Sequence, residues 1–176
     1  MIKNTISGIF VTTLVIASGT NAVSAPINTY PQLSSSMSVK SNQLAQSTNT
    51  ANIEAAVFQQ INAYRASKNL PLLTRNSQID QQARIHSQNM ASGKVAFSHD
   101  GFPQRLQAIG IPYSSAAENV AYNQGFSDPA TQAVKGWLKS PGHLGNIQGN
   151  YSLTGIGVAA NNKGEVYFTQ IFLRSR

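Results

Sequence analysis

The stretch "LTGIGVAANNKGEVYFTQIFL", residues 153–173, holds two runs rich in β-branched and aromatic residues, parted by Asn161, Asn162, Lys163 and Gly164. It reads as an antiparallel hairpin, because Asn and Gly supply the backbone conformations a tight reversal needs. Upstream, "AAENVAY" at 116–122 reads as a further strand. The remaining segments follow helical spacing. From Asn52 to Lys68 the apolar positions Ile53, Val57, Ile61 and Tyr64 recur at intervals of three and four. Pro71 ends that pattern, since it cannot continue a helix. A second helix fits Ser77 to Met90, with Ile79, Ala83, His86 and Met90 on one face. A short third, Pro103 to Ile109, stops at Gly110. Asp128 followed by Pro129 is an N-cap with proline at the first helical position, opening a helix to about Lys139. Helices and antiparallel strands in this order predict an α+β domain, its helices packed on a small antiparallel sheet.

The hundred and more residues of this pattern make one domain, from about Ala51 to Arg176 of the 176-residue chain. Residues 26–50 are polar, rich in Ser, Asn, Gln and Thr and without periodicity, and read as a flexible tether. Ahead of them, residues 1–25 show a basic start at Lys3, an apolar run from about Ile6 to Ala17 and then small residues. That is the layout of a secretory signal peptide, with cleavage after Ala22 or Ala25. The run is shorter than the ~20 residues a membrane-spanning helix needs. The expected location is therefore outside the cytoplasm: periplasmic, wall-associated or extracellular.

Charged residues make up 11% of the chain, against roughly 25% in an ordinary soluble domain. The net charge of +7 comes from single Lys and Arg residues, with no run of three. Nucleic-acid binding normally gathers such charges on one element, so no nucleic-acid partner is expected. Attraction to an anionic cell surface fits better. There is no cysteine, which excludes disulfides, thiol chemistry and thiolate metal sites.

With six acidic residues and three histidines, a site can be sought by elimination. Glu54 and Asp80 fall in first turns of expected helices, where the helix dipole favours negative charge. Asp128 is a cap, and Glu165 lies beside the hairpin turn in solvent. Asp100 and Glu118 remain. In a strand, Glu118 shares a face with Ala116, Val120 and Tyr122. On an apolar face it needs a partner, and on a solvent face it needs none. His86 fits a partly buried helix position, whereas His99 and His143 stand in loops and are the better ligand candidates. No H-E-x-x-H pattern or close His pair occurs, so any site gathers from distant loops.

"AFSH" at 96–99, "AENVAY" at 117–122 and "GWLKSPGHLGNI" at 136–147 occur in that order, after "INAYRASKNLPLL" and before the "GIGVA…YFTQIF" hairpin. Together they resemble the CAP superfamily of cysteine-rich secretory, antigen 5 and pathogenesis-related proteins, in its bacterial SCP-like branch. The resemblance covers residues 52–173. It implies a three-layered α-β-α sandwich with a central cleft lined by two histidines and two acidic residues. The histidines fall on His99 and His143, and the first glutamate on Glu118. The second glutamate falls where this chain has Ser140, which also stands before Pro141 as a helix cap. The family implies zinc or another divalent cation on His99 and His143, with Glu118 behind them, and no organic cofactor.

Three activities are then open. The first is an extracellular binding module for a lipid, a wall fragment or a peptide. The second is a zinc-assisted hydrolase, such as a protease, in which His99 and His143 hold the metal and Glu118 acts as base. The third is a serine hydrolase built on Ser140, His143 and Glu118. The missing second carboxylate favours the binding module over an enzyme.

Overall fold

A computed structural model describes the backbone of residues 34–176 and the side chains from residue 49 onward. The signal-peptide segment and residues 26–33 lie outside the described residues. Helix α1 spans Ser34–Ser67, so its backbone begins inside the stretch read as a tether. Strand β1 is two residues, Thr74–Arg75. Helix α2 covers Ser77–Ala91 and α3 Phe102–Ile109. Strand β2 runs Tyr113–Gln124, α4 Pro129–Lys139 and α5 Pro141–Gln148. The hairpin is β3, Leu153–Ala160, and β4, Glu165–Ser175.

The sheet has the order β1-β3-β4-β2. β4 pairs antiparallel with β3, as the hairpin pattern predicts, and on its other side antiparallel with β2. Only the short β1 lies parallel, beside β3. Its two residues are too few to show a period, and so it is invisible in the sequence.

Alternation along the strands sends side chains to two cores. On one face Ile156, Val158, Phe168 and Phe172 meet Val57 and Ile61 of α1, Val134 and Trp137 of α4, and Ile147 of α5. On the other, Ile171 and Leu173 meet Ile79 and Ala83 of α2 and Leu106 and Ile109 of α3. The three layers, helices on both sides of a sheet, follow from apolar residues on both faces of β3 and β4.

Helix α2 sits unusually close to the sheet. A Cβ on Gly157 would collide with Arg84 N and the Ala83 carbonyl carbon, and one on Gly155 with Ile79 and Asp80 backbone. Glycine at both positions is a packing requirement. Ser87 pins the same helix by donating to Gly157 O at 2.9 Å, with its Oγ also 2.9 Å from the Thr169 hydroxyl, which has a proton to give it.

Side chains cap two positions on each border of the sheet. Beyond β1, the β3 donors Ile156 N and Val158 N bond Asp80 Oδ1 at 2.8 Å and Glu54 Oε1 at 3.2 Å. On β2, Glu118 O and Val120 O accept from Asn146 Nδ2 at 3.3 Å and Trp137 Nε1 at 3.0 Å. Asp80 does lie in the first turn of α2. Glu54 corrects the dipole reading. It lies well inside α1 and is 1% exposed. Arg84 Nη2 at 2.6 Å and Arg75 Nη2 at 2.7 Å balance its charge. The 34-residue α1 starts earlier than its apolar stripe, so the stripe misplaced the first turn.

Candidate functional site

His99 lies between α2 and α3, Glu118 on β2, and His143 in the first turn of α5. Glu118 faces the α2/α3 layer, opposite Ile171 in the register. Its side chain is 1% exposed. Burial of a lone carboxylate is costly, and a cation from α3 meets it. Arg105 Nη2 donates to Oε1 at 2.7 Å and Arg105 Nε to Oε2 at 2.9 Å. This two-pronged geometry is the strong form of a charge-assisted pair. His99 Nδ1 also lies 2.9 Å from Glu118 Oε1. Because the carboxylate only accepts, Nδ1 carries the proton and neutral His99 has its lone pair on Nε2. The His99 side chain is 52% exposed, so the cluster has one buried end and one open end.

Arg105 is the residue that the search by elimination missed. Besides Glu118 it donates to Asp100 O at 2.8 Å and to His99 O at 3.3 Å, fixing the turn that presents His99. It also reaches His86 Nδ1 at 3.2 Å. Arginine can only donate, so Nδ1 of His86 accepts and its Nε2–H donates to Ser98 O at 2.9 Å. A signal was present: Arg105 stands in the stripe Phe102, Leu106 and Ile109, where a solvated charge does not belong. Asp100, the other carboxylate left by elimination, is exposed and outside the cluster.

His86 is buried and structural, as its helix position predicts. Burial, foremost, lowers its pKa from 6.5, reinforced by Arg105 and His99 and opposed by the Ser98 bond and Glu118. The folded state therefore binds fewer protons at His86 than the unfolded chain. Its contribution to stability is complete above pH 6.5 and is lost as pH falls through the lowered folded value. Urea midpoints should drop with acidification below that pH, and His86→Gln should flatten part of the slope. An unchanged slope in His86→Gln would refute the assignment.

His143 approaches from the other side of β2. Ser140 occupies the N-cap position of α5 and Pro141 the first turn, but the Ser140 side chain makes no capping hydrogen bond. The first turn of α5 is instead tied to β2 by asparagines. Asn119 Nδ2 donates to His143 O at 3.2 Å, and Asn146 Nδ2 to Asn119 Oδ1 at 2.8 Å. His143 is half-buried and, with Ser140, lines a groove of about 360 Å³ along β2 and α4. Its pKa is lowered by burial and then by the charge of nearby His99. Glu118 bonds His99 and not His143, so Ser140, His143 and Glu118 are not wired as a serine-hydrolase relay.

The residues suit a metal only in part. Among the described residues no group of three or more His, Cys, Asp or Glu side chains could hold an ion. Both Glu118 oxygens are engaged by Arg105 and His99. The remaining donors are the His99 Nε2 and the imidazole of His143. Carboxylate support behind a histidine is the usual outer arrangement of a metal-bound imidazole.

The chain belongs to the CAP, or cysteine-rich secretory protein, family, whose profile matches residues 58–172. A solved extracellular SCP-domain protein of Bacillus anthracis is similar at 29% identity and a TM-score of 0.62, over 74% of this chain and 43% of that one. A cysteine-rich secretory protein of Staphylococcus aureus gives 24% and 0.58, over 72% and 40%. An outer surface protein of Borrelia burgdorferi gives 16% and 0.64, over 72% and 96%. The chain thus spans under half the length of the Bacillus and Staphylococcus chains. No match to curated proteins was found. Among the described residues, no helix is long and apolar enough to cross a membrane.

Proposed function

We propose that this chain is an exported binding module whose cleft carries a two-imidazole site for zinc or another divalent cation. The observation that carries this reading is the His99 ring, backed through Nδ1 by a buried glutamate and open to solvent at its other side. His143 supports it, because burial and the neighbouring His99 favour its neutral form, the form that binds a metal. Two protein ligands leave positions for water or for atoms of a ligand, which makes an exchangeable site. Export rests on the N-terminal charge and hydropathy layout and on the similarity to the extracellular Bacillus protein. The ligand classes consistent with the family are lipid, wall fragment and peptide.

A zinc-assisted hydrolase needs Glu118 as a base for a water. Its oxygens accept from Arg105 and His99 instead, and its side chain is 1% exposed. These contacts favour the binding module, in which Glu118 orients His99.

Zinc titration of the purified chain, followed by heat of binding and by melting temperature, tests the site. Zinc is expected to raise the melting temperature of the parent, and His99→Ala and His143→Ala to abolish the response. Glu118→Gln should weaken binding about 10- to 100-fold through the loss of outer support. An equal zinc response in parent and histidine variants would remove the metal from the proposal.

A further inference from the structure

Three aromatic side chains unused by the His99–Glu118 cluster form a row beside it. Phe97 meets Tyr122 edge-on with ring centroids 5.4 Å apart, and Tyr122 stacks on Tyr167 at 5.5 Å. Tyr122 and Tyr167 are direct cross-strand partners on β2 and β4. Phe97 is 48% and Tyr122 54% exposed, an unusual display of aromatic surface on two adjoining residues. The row divides two hollows. Phe97 and Tyr122 line the groove that contains His143, while Tyr167 lines a second depression of about 540 Å³ at the end of α2.

The polar groups around the row select the ligand chemistry. Gln132 lines the groove, and Gln88 and Asn162 line the second hollow, whereas the Asn123 and Asn161 amides are engaged within the protein, by Pro129 O and by Ala91, Glu165 and the turn. Glu165 is held internally: Asn161 Nδ2 donates to it at 2.6 Å and Tyr167 Oη at 3.1 Å, so the carboxylate fixes the Tyr167 ring. Half-buried, Glu165 is a part of this network and not the solvated residue that its place beside the turn suggests. Amides both donate and accept, as hydroxyl groups do. A lipid chain would strip water from these amides without replacing their hydrogen bonds. An anionic polymer would require a cluster of cations, and among the described residues Lys163 is the one lysine or arginine lining either hollow.

We propose that the Phe97–Tyr122–Tyr167 row and its flanking amides form a subsite for an uncharged oligosaccharide of pyranose units. The C–H face of a sugar packs on exposed aromatic surface, and its ring of hydroxyls meets the Gln88, Gln132 and Asn162 side chains. The proposal rests on the binding-module reading and names a ligand class for it.

Chitotetraose and cellotetraose are titrated into the full chain by calorimetry, with Tyr122→Ala, Phe97→Ala and Tyr122→Phe alongside, and circular dichroism confirms folding. The expected result is saturable binding of at least one oligosaccharide, weakened tenfold or more by each alanine variant and retained by Tyr122→Phe. Absence of saturable binding by both sugars, or alanine variants that bind like the parent, overturns the subsite. Binding of fatty-acid vesicles lost in Tyr122→Ala, without sugar binding, assigns the row to lipid and overturns it too. The same samples receive zinc. An intact zinc response without sugar binding refutes this subsite alone, and sugar binding without a zinc response refutes the metal site alone.

Discussion

Gly157→Ala is expected to lower unfolding stability by about 3 kcal/mol, the upper part of the usual cost of overpacking. The new Cβ would meet the Ala83 and Arg84 backbone of α2, and backbone cannot rotate aside as a flexible side chain can. Helix α2 must retreat, loosening the Ser87 bonds to Gly157 O and Thr169. Gly136, inside α4, is the internal control, with nothing within 4 Å of an added Cβ. Gly136→Ala should therefore gain about 0.5–1 kcal/mol from helix propensity. Urea denaturation of the two variants reads both signs. Equal stability of Gly157→Ala and parent would show that α2 does not approach the sheet so closely.

Arg105→Met should cost about 3–5 kcal/mol, because it leaves Glu118 buried with its principal cation gone. The loss has a second readout, since Arg105 also holds the backbone of His99 and Asp100. Glu118→Gln combined with Arg105→Met should cost less than the sum of the single changes, as expected of two members of one buried pair. Guanidinium denaturation of the four chains gives the coupling energy. Strict additivity would mean that the guanidinium and carboxylate do not depend on each other.

Much of the frame was legible because period and punctuation agreed. The hairpin, α2, α3 and α4 emerge near their observed limits, and Asp128 caps α4 with its Oδ1 3.0 Å from Thr131 N. The beginning of α1 was not legible, as residues 34–50 lack an apolar stripe and their polar composition suits a tether equally well. For the site, His99, Glu118 and His143 stood out by lacking a structural excuse, and the motif order then named their family. Arg105 did not stand out, since single arginines are ordinarily solvated. The same bias hid Arg75 and Arg84, which offset the buried Glu54 charge. Partners of buried charges depend on tertiary contacts that local pattern does not encode. A buried acid on an apolar face nonetheless demands a cation, and a search for arginine within an apolar stripe finds one here.

The side chains that cap positions on both borders of the sheet bear on self-association. A bare strand edge is a template for another copy of the chain, and proteins commonly blunt it with charge or cover it with other elements. In this protein Glu54 and Asp80 occupy β3 donors, while Trp137 and Asn146 occupy β2 acceptors. The native fold thus blocks runaway edge-to-edge pairing at these positions without a disulfide to hold its covers in place. Asp80 belongs to α2, so partial unfolding that peels this helix away uncovers the β-branched and aromatic hairpin at its edge. Aggregation resistance and the seating of α2 are then one property, and the glycines that admit the helix also guard the sheet.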